Sequence, residues 1–337
     1  MKKQEYSAER GRFLFLIMVI LMAVIAVISM NSGKMNLTPG EVLNVIIGRG
    51  TPQQNLIILE FRLPRIVLSI LVGVGMGISG CIMQSLLRND MASPGTLGIS
   101  SGSGLFVLIF VVLFSAKTVS SAILMPLLSF FGGMTAAGLI FLLSYRRGKD
   151  ISPTGLILTG VALGSGYGAL TTLLTLKLDQ NQMDFIQRWS AGSLWGDEWR
   201  YLAVLIPWTL ILCGYVFYKA HILNILNLGN ETALSLGAAV KPEFIGLTVA
   251  AVALSSGCVS LGGNFFFVGM ISPHMARKLM GPNHKLFLPA SGLCGAIIVL
   301  LADTITRTIS LGTDVPTGIV ITALSTPYFL YLLAKAN

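Results

Sequence analysis

The sequence predicts an all-α polytopic membrane protein of about ten transmembrane helices, and three observations carry that reading. Apolar residues make up 54% of the chain and charged residues 11%, with a mean hydropathy of +0.79; a soluble domain carries about 25% charged residues. Long, nearly uncharged runs recur from end to end, each sufficient to cross about 30 Å of hydrocarbon. The tripeptide Ser79-Gly80-Cys81 returns as Ser256-Gly257-Cys258. The two copies fall in spans predicted to run in opposite directions, as an inverted repeat of spans two to five on seven to ten would place them.

The first span, Phe13–Met30, follows Lys2, Lys3, Arg10 and Arg12. Its apolar core is too long for a signal peptide and Ser29-Met30-Asn31-Ser32 is a poor cleavage site, so it reads as retained. The other nine are Ile66–Leu87, Leu97–Phe114, Ala122–Tyr145, Thr154–Leu176, Tyr201–Ala220, Phe244–Leu261, Phe265–Leu279, Phe287–Thr308 and Val315–Leu333. No soluble domain fits between them, so residues 1–337 form one transmembrane domain. An even number of spans puts both termini on one side. If that side is the cytoplasm, fourteen of the 23 Lys and Arg lie inside and nine outside, a bias that agrees with the positive-inside rule. The net charge of +9 thereby finds its explanation in orientation within lipid, not in a nucleic-acid partner.

Between spans six and seven, His221 to Phe244 turns polar yet stays patterned. Ile222, Ile225 and Leu226 repeat at helical spacing and Leu228-Gly229-Asn230 breaks the run. Glu231 to Leu236 restarts it, with Gly237 where a C-cap glycine belongs. Two short helices cannot cross a bilayer; they read as a folded knob at the cytosolic surface for another protein to push on, or as a plain interfacial hairpin. At the predicted outer mouth, Arg62 and Arg65 flank Pro64, and Arg307 lies near the outer end of span nine. These cations either snorkel to the interface or form a ring awaiting an acidic partner. Asp303 and Arg307, four apart on one helix face, can neutralise each other.

Lys177 to Arg200 mixes Phe185, Trp189, Trp195 and Trp199 with Asp179, Asp184, Asp197 and Glu198, which suits a short helix and an aromatic belt among lipid headgroups, or the rim of an entrance. The spacing Gly73/Gly77, Gly98/Gly102 and Gly160/Gly164/Gly168 lets helix backbones approach closely, or leaves a smooth wall for a bulky solute. Pro207, Pro273 and Pro327 fall inside or near the ends of apolar runs, where bends are expected.

Catalytic chemistry is missing. No GxxxxGK[ST] phosphate loop, paired carboxylates or Ser/His/Asp set occurs. The four cysteines, Cys81, Cys213, Cys258 and Cys294, stand singly in apolar runs without a CxxC, so neither a metal site nor a cofactor is expected. An ion-coupled transporter would carry midplane acidic residues; here energy is expected to enter from another subunit through the knob.

From about Asn36 onward the chain resembles the permease subunits of bacterial ATP-binding cassette importers for iron–siderophore chelates and cobalamin, the FecCD-type family. The resemblance rests on Arg62-Leu63-Pro64-Arg65, SGCIMQSLLRNDMASPGTLGISSGSG from Ser79, LILTGVALGSG from Leu156 and WSAGSLWG from Trp189. It continues through LGNETALSLG from Leu228, GGNFFFVGMISPHMARKLMGPNHK from Gly262, LLADTITR from Leu300 and the Pro316–Pro327 stretch. It implies a type II importer fold and no catalytic site in this chain. The implied partners are a dimer of cytosolic ATPases, a second permease subunit (the same or a paralogue), an extracytoplasmic solute-binding protein and membrane lipid. It also implies residue roles: Leu228, Gly229, Glu231, Ala233, Leu236 and Gly237 couple to the ATPase; Arg62, Arg65 and Arg307 dock the binding protein; Ser152, Pro153, Thr154, Gly160 and Gly164 belong to pathway and gate. The implied solute is an iron–siderophore, WSAGSLWG being similar to the siderophore members; cobalamin or haem is the alternative within the family, and an ion-coupled secondary transporter the alternative outside it. Asp90, Lys285, Asp314 and Ser325-Thr326 depart from the family pattern.

Overall fold

A computed structural model describes residues 8–33, 37–114, 121–144, 153–308 and 315–336, and all regular structure among them is helical. Helix α1, Ala8–Asn31, is followed by two short helices, α2 (Pro39–Ile46) and α3 (Pro52–Asn55). Thr38 and Thr51 each cap their helix from the side chain, with Glu41 and Gln54 returning the bond to the cap backbone. A π-helical stretch, Leu56–Arg62, then runs into α4, Leu63–Leu87. Next come α5 (Ile99–Leu113), α6 (Ser121–Ser144), α7 (Pro153–Thr175), α8 (Gln180–Ser190) and α9 (Trp199–Tyr218). The chain closes with α10 (Ala220–Leu226), α11 (Asn230–Ser235), α12 (Val240–Gly262), α13 (Val268–Met280), α14 (His284–Thr308) and α15 (Thr317–Ala336).

Seven stretches among the described residues are long and apolar enough to cross a membrane: those of α1, α3–α4 together, α6, α7, α9, α12 and α14. Three of the ten expected spans are not among them, at α5, α13 and α15. Helices α5 and α13 have fifteen and thirteen residues, because largely buried irregular backbone replaces helix at Ala92–Gly98, and a stretch with Gly263 and Phe265 buried and Asn264 exposed does so at Gly263–Phe267. The prolines at 207, 273 and 327 sit inside α9, α13 and α15 without ending them.

The core is α4, α12 and α14. The spans containing them are 78%, 78% and 72% buried, against 17% for α1 and for α7. Helix α4 packs on α12, α13 and α14, and α12 packs on α4, α5 and α6. Absent side chains make these contacts possible: a Cβ on Gly80 would overlap the Gly269 carbonyl, and one on Gly73 would overlap the backbone at Gly295–Ala296. Hydroxyls and an amide then fasten neighbouring backbones. Ser79 Oγ donates to the Ala251 carbonyl (2.6 Å), Ser129 Oγ to the Ser256 carbonyl (2.8 Å) and Gln84 Nε2 to the Met270 carbonyl (2.9 Å).

Candidate functional site: the two ends of the helix core

Helices α4 and α14 each have 25 residues, about 37 Å at the α-helical rise, and the candidate residues gather at their two ends. At one end the Asp303 carboxylate is 0% exposed and serves as a hub. Arg65 reaches it through Nε and Nη2 at 3.0 Å each, Arg307 through Nε at 3.0 Å, and Thr317 donates its hydroxyl at 3.4 Å. Arg65 also pairs with Asp197 at 3.4 Å. Arg307 donates to Ser29 Oγ and the buried Arg62 to the Met30 carbonyl, both on α1. The three cations expected as a ring do lie together, each held by groups of this chain. Three arginines and two aspartates leave +1 over the five side chains. Burial pushes the Asp197 carboxyl above its ordinary value, against the opposing pull of the Arg65 charge.

The knob is at the other end. Helices α10 and α11 bury Ala220, Leu223, Leu226 and Ala233 against the bundle, while Leu228 (62%) and Leu236 (59%) are exposed, as is Glu231. Glu231 stands in the first turn of α11, where a negative charge suits the helix dipole. Gly229 joins the helices with φ of +111°, and Gly237 ends α11 with φ of +79°. The Gly237 N–H donates to Leu234 and the Ala238 N–H to Ala233, the paired bonds of a Schellman cap and the termination expected from the sequence. Lys219 Nζ bonds Glu243 at 2.6 Å across the base of the knob, and this bond raises the Lys219 pKa.

Along α7, Gly160 and Gly164 face α5: a Cβ on Gly160 would lie 2.7 Å from the Leu97 carbonyl oxygen, and one on Gly164 3.2 Å from Gly98 Cα. Close approach holds at Gly160 and Gly164, whereas Gly168, the third of the series, is exposed with nothing within 4 Å of where its Cβ would stand. The opposite face of α7, with Leu158, Val161, Ala162, Ser165, Ala169, Thr172 and Leu173, is exposed in this chain. Pro153 opens the helix and Thr154 is exposed; Ser152 and Asp314 lie outside the described residues.

The aromatic stretch differs from a headgroup belt. Trp189 is buried and donates from Nε1 to the Val259 carbonyl (3.1 Å), and Trp195 does the same to Ser260 (2.9 Å). Gly318 donates its N–H to the Gly192 carbonyl (2.7 Å), so the loop binds the ends of α12 and α15. Aromatics rich in charge neighbours looked interfacial in sequence, but the indole N–H groups of Trp189 and Trp195 bond carbonyls in the last turn of α12, that of Val259 being shared with the Gly263 N–H. Asp90 also acquires a role the sequence lacked, pairing with Arg277 at 2.6 Å. The contact of His284 with Asn224 and Ser85 at the knob end escaped the sequence as well; its signal was Asn283-His284 before an apolar run, readable only as a helix start.

Known proteins with this sequence pattern are transport permeases. The iron(3+)-hydroxamate import system permease protein FhuG of Bacillus subtilis is 41% identical over 324 residues, 94% of this chain and 95% of that protein. The Fe(3+)-citrate import system permease protein YfmE of the same organism is 38% identical, covering 99% and 98%. The hemin transport system permease protein HmuU of Yersinia pestis is 34% identical, covering 94% of each. A solved metal-chelate type ABC transporter in an inward-facing conformation superposes with a TM-score of 0.82 at 26% identity, over 96% of this chain and 99% of that one. The model of the FecCD transport family matches residues 19–335, and the chain belongs to that family.

Proposed function

We propose that this chain is the transmembrane subunit of an ATP-binding cassette importer, carrying a ferric siderophore chelate across the cytoplasmic membrane while a separate ATPase dimer hydrolyses the nucleotide. The observation that carries the reading is end-to-end similarity to permeases named for ferric hydroxamate and ferric citrate import. Greater identity to the hydroxamate permease than to the hemin permease, 41% against 34%, favours a siderophore over haem.

The knob is the seat of the ATPase. Leu228 and Leu236 present exposed apolar surface, Glu231 a charge and Gly237 an open backbone, on a base fixed by Gly229 and Ala233. The opposite end, at Arg62, Arg65 and Arg307, takes acidic lobes of an extracytoplasmic binding protein. A docking carboxylate there meets Arg65 and Arg307, already shared with Asp303 and Asp197, so docking exchanges one anion for another. Both termini are then cytoplasmic. The chain makes ten crossings: α5 and α13 are short, but the irregular backbone that completes them is mostly packed against protein, with Asn264 exposed, and such backbone is tolerated at membrane depth where protein or a water-filled cavity covers it. That α4 packs on α12–α14 as α12 packs on α4–α6 supports the inverted repeat. The exposed face of α7, with α15, faces the pathway and a second permease subunit; the segment Ser152, Pro153 and Thr154 closes it on the cytosolic side, with Gly160 and Gly164 holding α7 in place. Lipid covers the remaining apolar surface.

Proteoliposomes holding this chain, its second permease and the ATPase dimer, supplied with binding protein, should accumulate a radio-iron-loaded trihydroxamate only with ATP inside. Accumulation that survives omission of the ATPase and collapses with an uncoupler would establish ion coupling instead and overturn the proposal.

A further inference from the structure

The first residue of α14, His284, is buried, and neither the docking end nor the pathway uses it. Its main-chain N–H and its Nδ1 lie 3.0 and 2.8 Å from Asn224 Oδ1 on α10. A main-chain N–H only donates and an amide oxygen only accepts, so Nδ1 carries the ring proton and the neutral ring offers Nε2 as an acceptor. Nε2 lies 2.6 Å from Ser85 Oγ on α4. Ser85 has another acceptor in reach, the Cys81 carbonyl one turn back at 2.8 Å, and one hydroxyl proton for the two. That proton either ties α4 to α14 and the knob or closes within α4. Parting the bridge therefore leaves the hydroxyl satisfied and only the Nε2 acceptor of His284 unpaired, so the penalty that makes most buried hydrogen bonds hard to release falls on one partner and not on both. The same two elements meet again at Arg88, which ends α4 in the left-handed region (φ +49°) and lays its guanidinium against Gly229.

We infer that Ser85, His284 and Asn224 form a releasable link that passes displacement of the knob to α4, one of the buried core helices. They are positioning residues, touching neither solute nor ATPase. The inference rests on the knob being the seat of the ATPase.

Ser85→Ala removes the α4 donor and leaves the His284–Asn224 contact intact. His284→Asn keeps a donor toward Asn224 and removes Nε2. In the reconstituted complex, both variants should hydrolyse ATP within about twofold of wild type while radio-iron trihydroxamate imported per ATP falls roughly five- to tenfold, the worth of one hydrogen bond. An unchanged ratio of import to hydrolysis in both variants overturns the link. A second measurement needs no transport: spin labels at the exposed positions His221 and Met91 of the purified full-length chain report the spacing of α10 and the turn that follows α4. His284→Asn should broaden that distance distribution; identical distributions overturn the link. A broadened distribution in a protein whose wild-type complex imports no ferric chelate would overturn the assigned transport and leave the link standing.

Discussion

The same two helices are fastened at their two ends by different physics. Where α4 begins and α14 finishes, ions do the work: Arg65 and Arg307 converge on a carboxylate with no access to solvent, and Asp197 and Thr317 complete the cluster. Where α4 finishes and α14 begins, the direct link between the two helices is neutral, from Asn224 through His284 to Ser85, with apolar packing of Leu223, Leu226 and Ala233 beneath; the ion pairs at this end, Asp90–Arg277 and Lys219–Glu243, join other elements. Charge in a dry site needs an opposite charge always present, so the first end can exchange partners but cannot stand empty. A neutral contact whose donor has a fallback acceptor can open without such a debt. The difference suits an end that receives a charged partner and an end that receives a push.

The largest break in this comparison is Asp303→Ala. It leaves two partly buried guanidinium groups without their shared anion, a loss of about 3–5 kcal/mol for a broken buried pair. Thermal unfolding in detergent should show it as a clear fall in Tm, with Ser85→Ala at the neutral end costing only about 1 kcal/mol. Equal losses at the two ends would remove the distinction.

How much of this could be read from the sequence follows from the range of each interaction. The restart at Glu231 and the stop at Gly237 were legible because a Schellman cap is written in adjacent residues. The Asp303–Arg307 pair was legible because four residues on a helix share a face. Arg65 was seen as a cation and Asp303 as an anion, but 238 positions separate them, and nothing local joins the two. The Gly160/Gly164 spacing announced close approach without saying what approaches; only the packed fold brings Leu97 and Gly98 there. Trp189 and Trp195 misled for the same reason, since the carbonyls that receive their N–H groups belong to the distant end of α12.

A smaller break is Gly229→Ala. An alanine at φ +111° carries about 1–3 kcal/mol of backbone strain, and its Cβ would stand 3.2 Å from the Arg88 guanidinium. The strain is confined to the knob. Affinity for the ATPase should therefore fall while affinity for the binding protein is unchanged, both read by titration calorimetry on the purified chain. Salt should sort the two ends in the opposite sense. Raising ionic strength from 0.1 to 1 M shortens the screening length from about 10 to about 3 Å, so binding-protein affinity should drop several-fold and ATPase affinity, where Glu231 is the charge presented, should fall less. A knob as salt-sensitive as the arginine end would contradict the placing of most of the charge at that end.

The smallest effect tests the ion pair at the base of the knob. Lys219 bonds Glu243 at 2.6 Å, and the bond raises the lysine above its ordinary value of 10.5. A cation stabilised by the fold contributes fully while the unfolded group is also protonated, that is, below about pH 10.5. The contribution is lost as pH climbs through the raised folded value. Between pH 7 and 9 this pair should therefore leave Tm flat, and Lys219→Met should lower Tm only slightly because both side chains are partly exposed. Above pH 10.5 the wild type should converge on the variant. A difference between the two that already shrinks by pH 9 would mean that Lys219 is not held as a cation, and that the base of the knob, like its top, rests on neutral contacts alone.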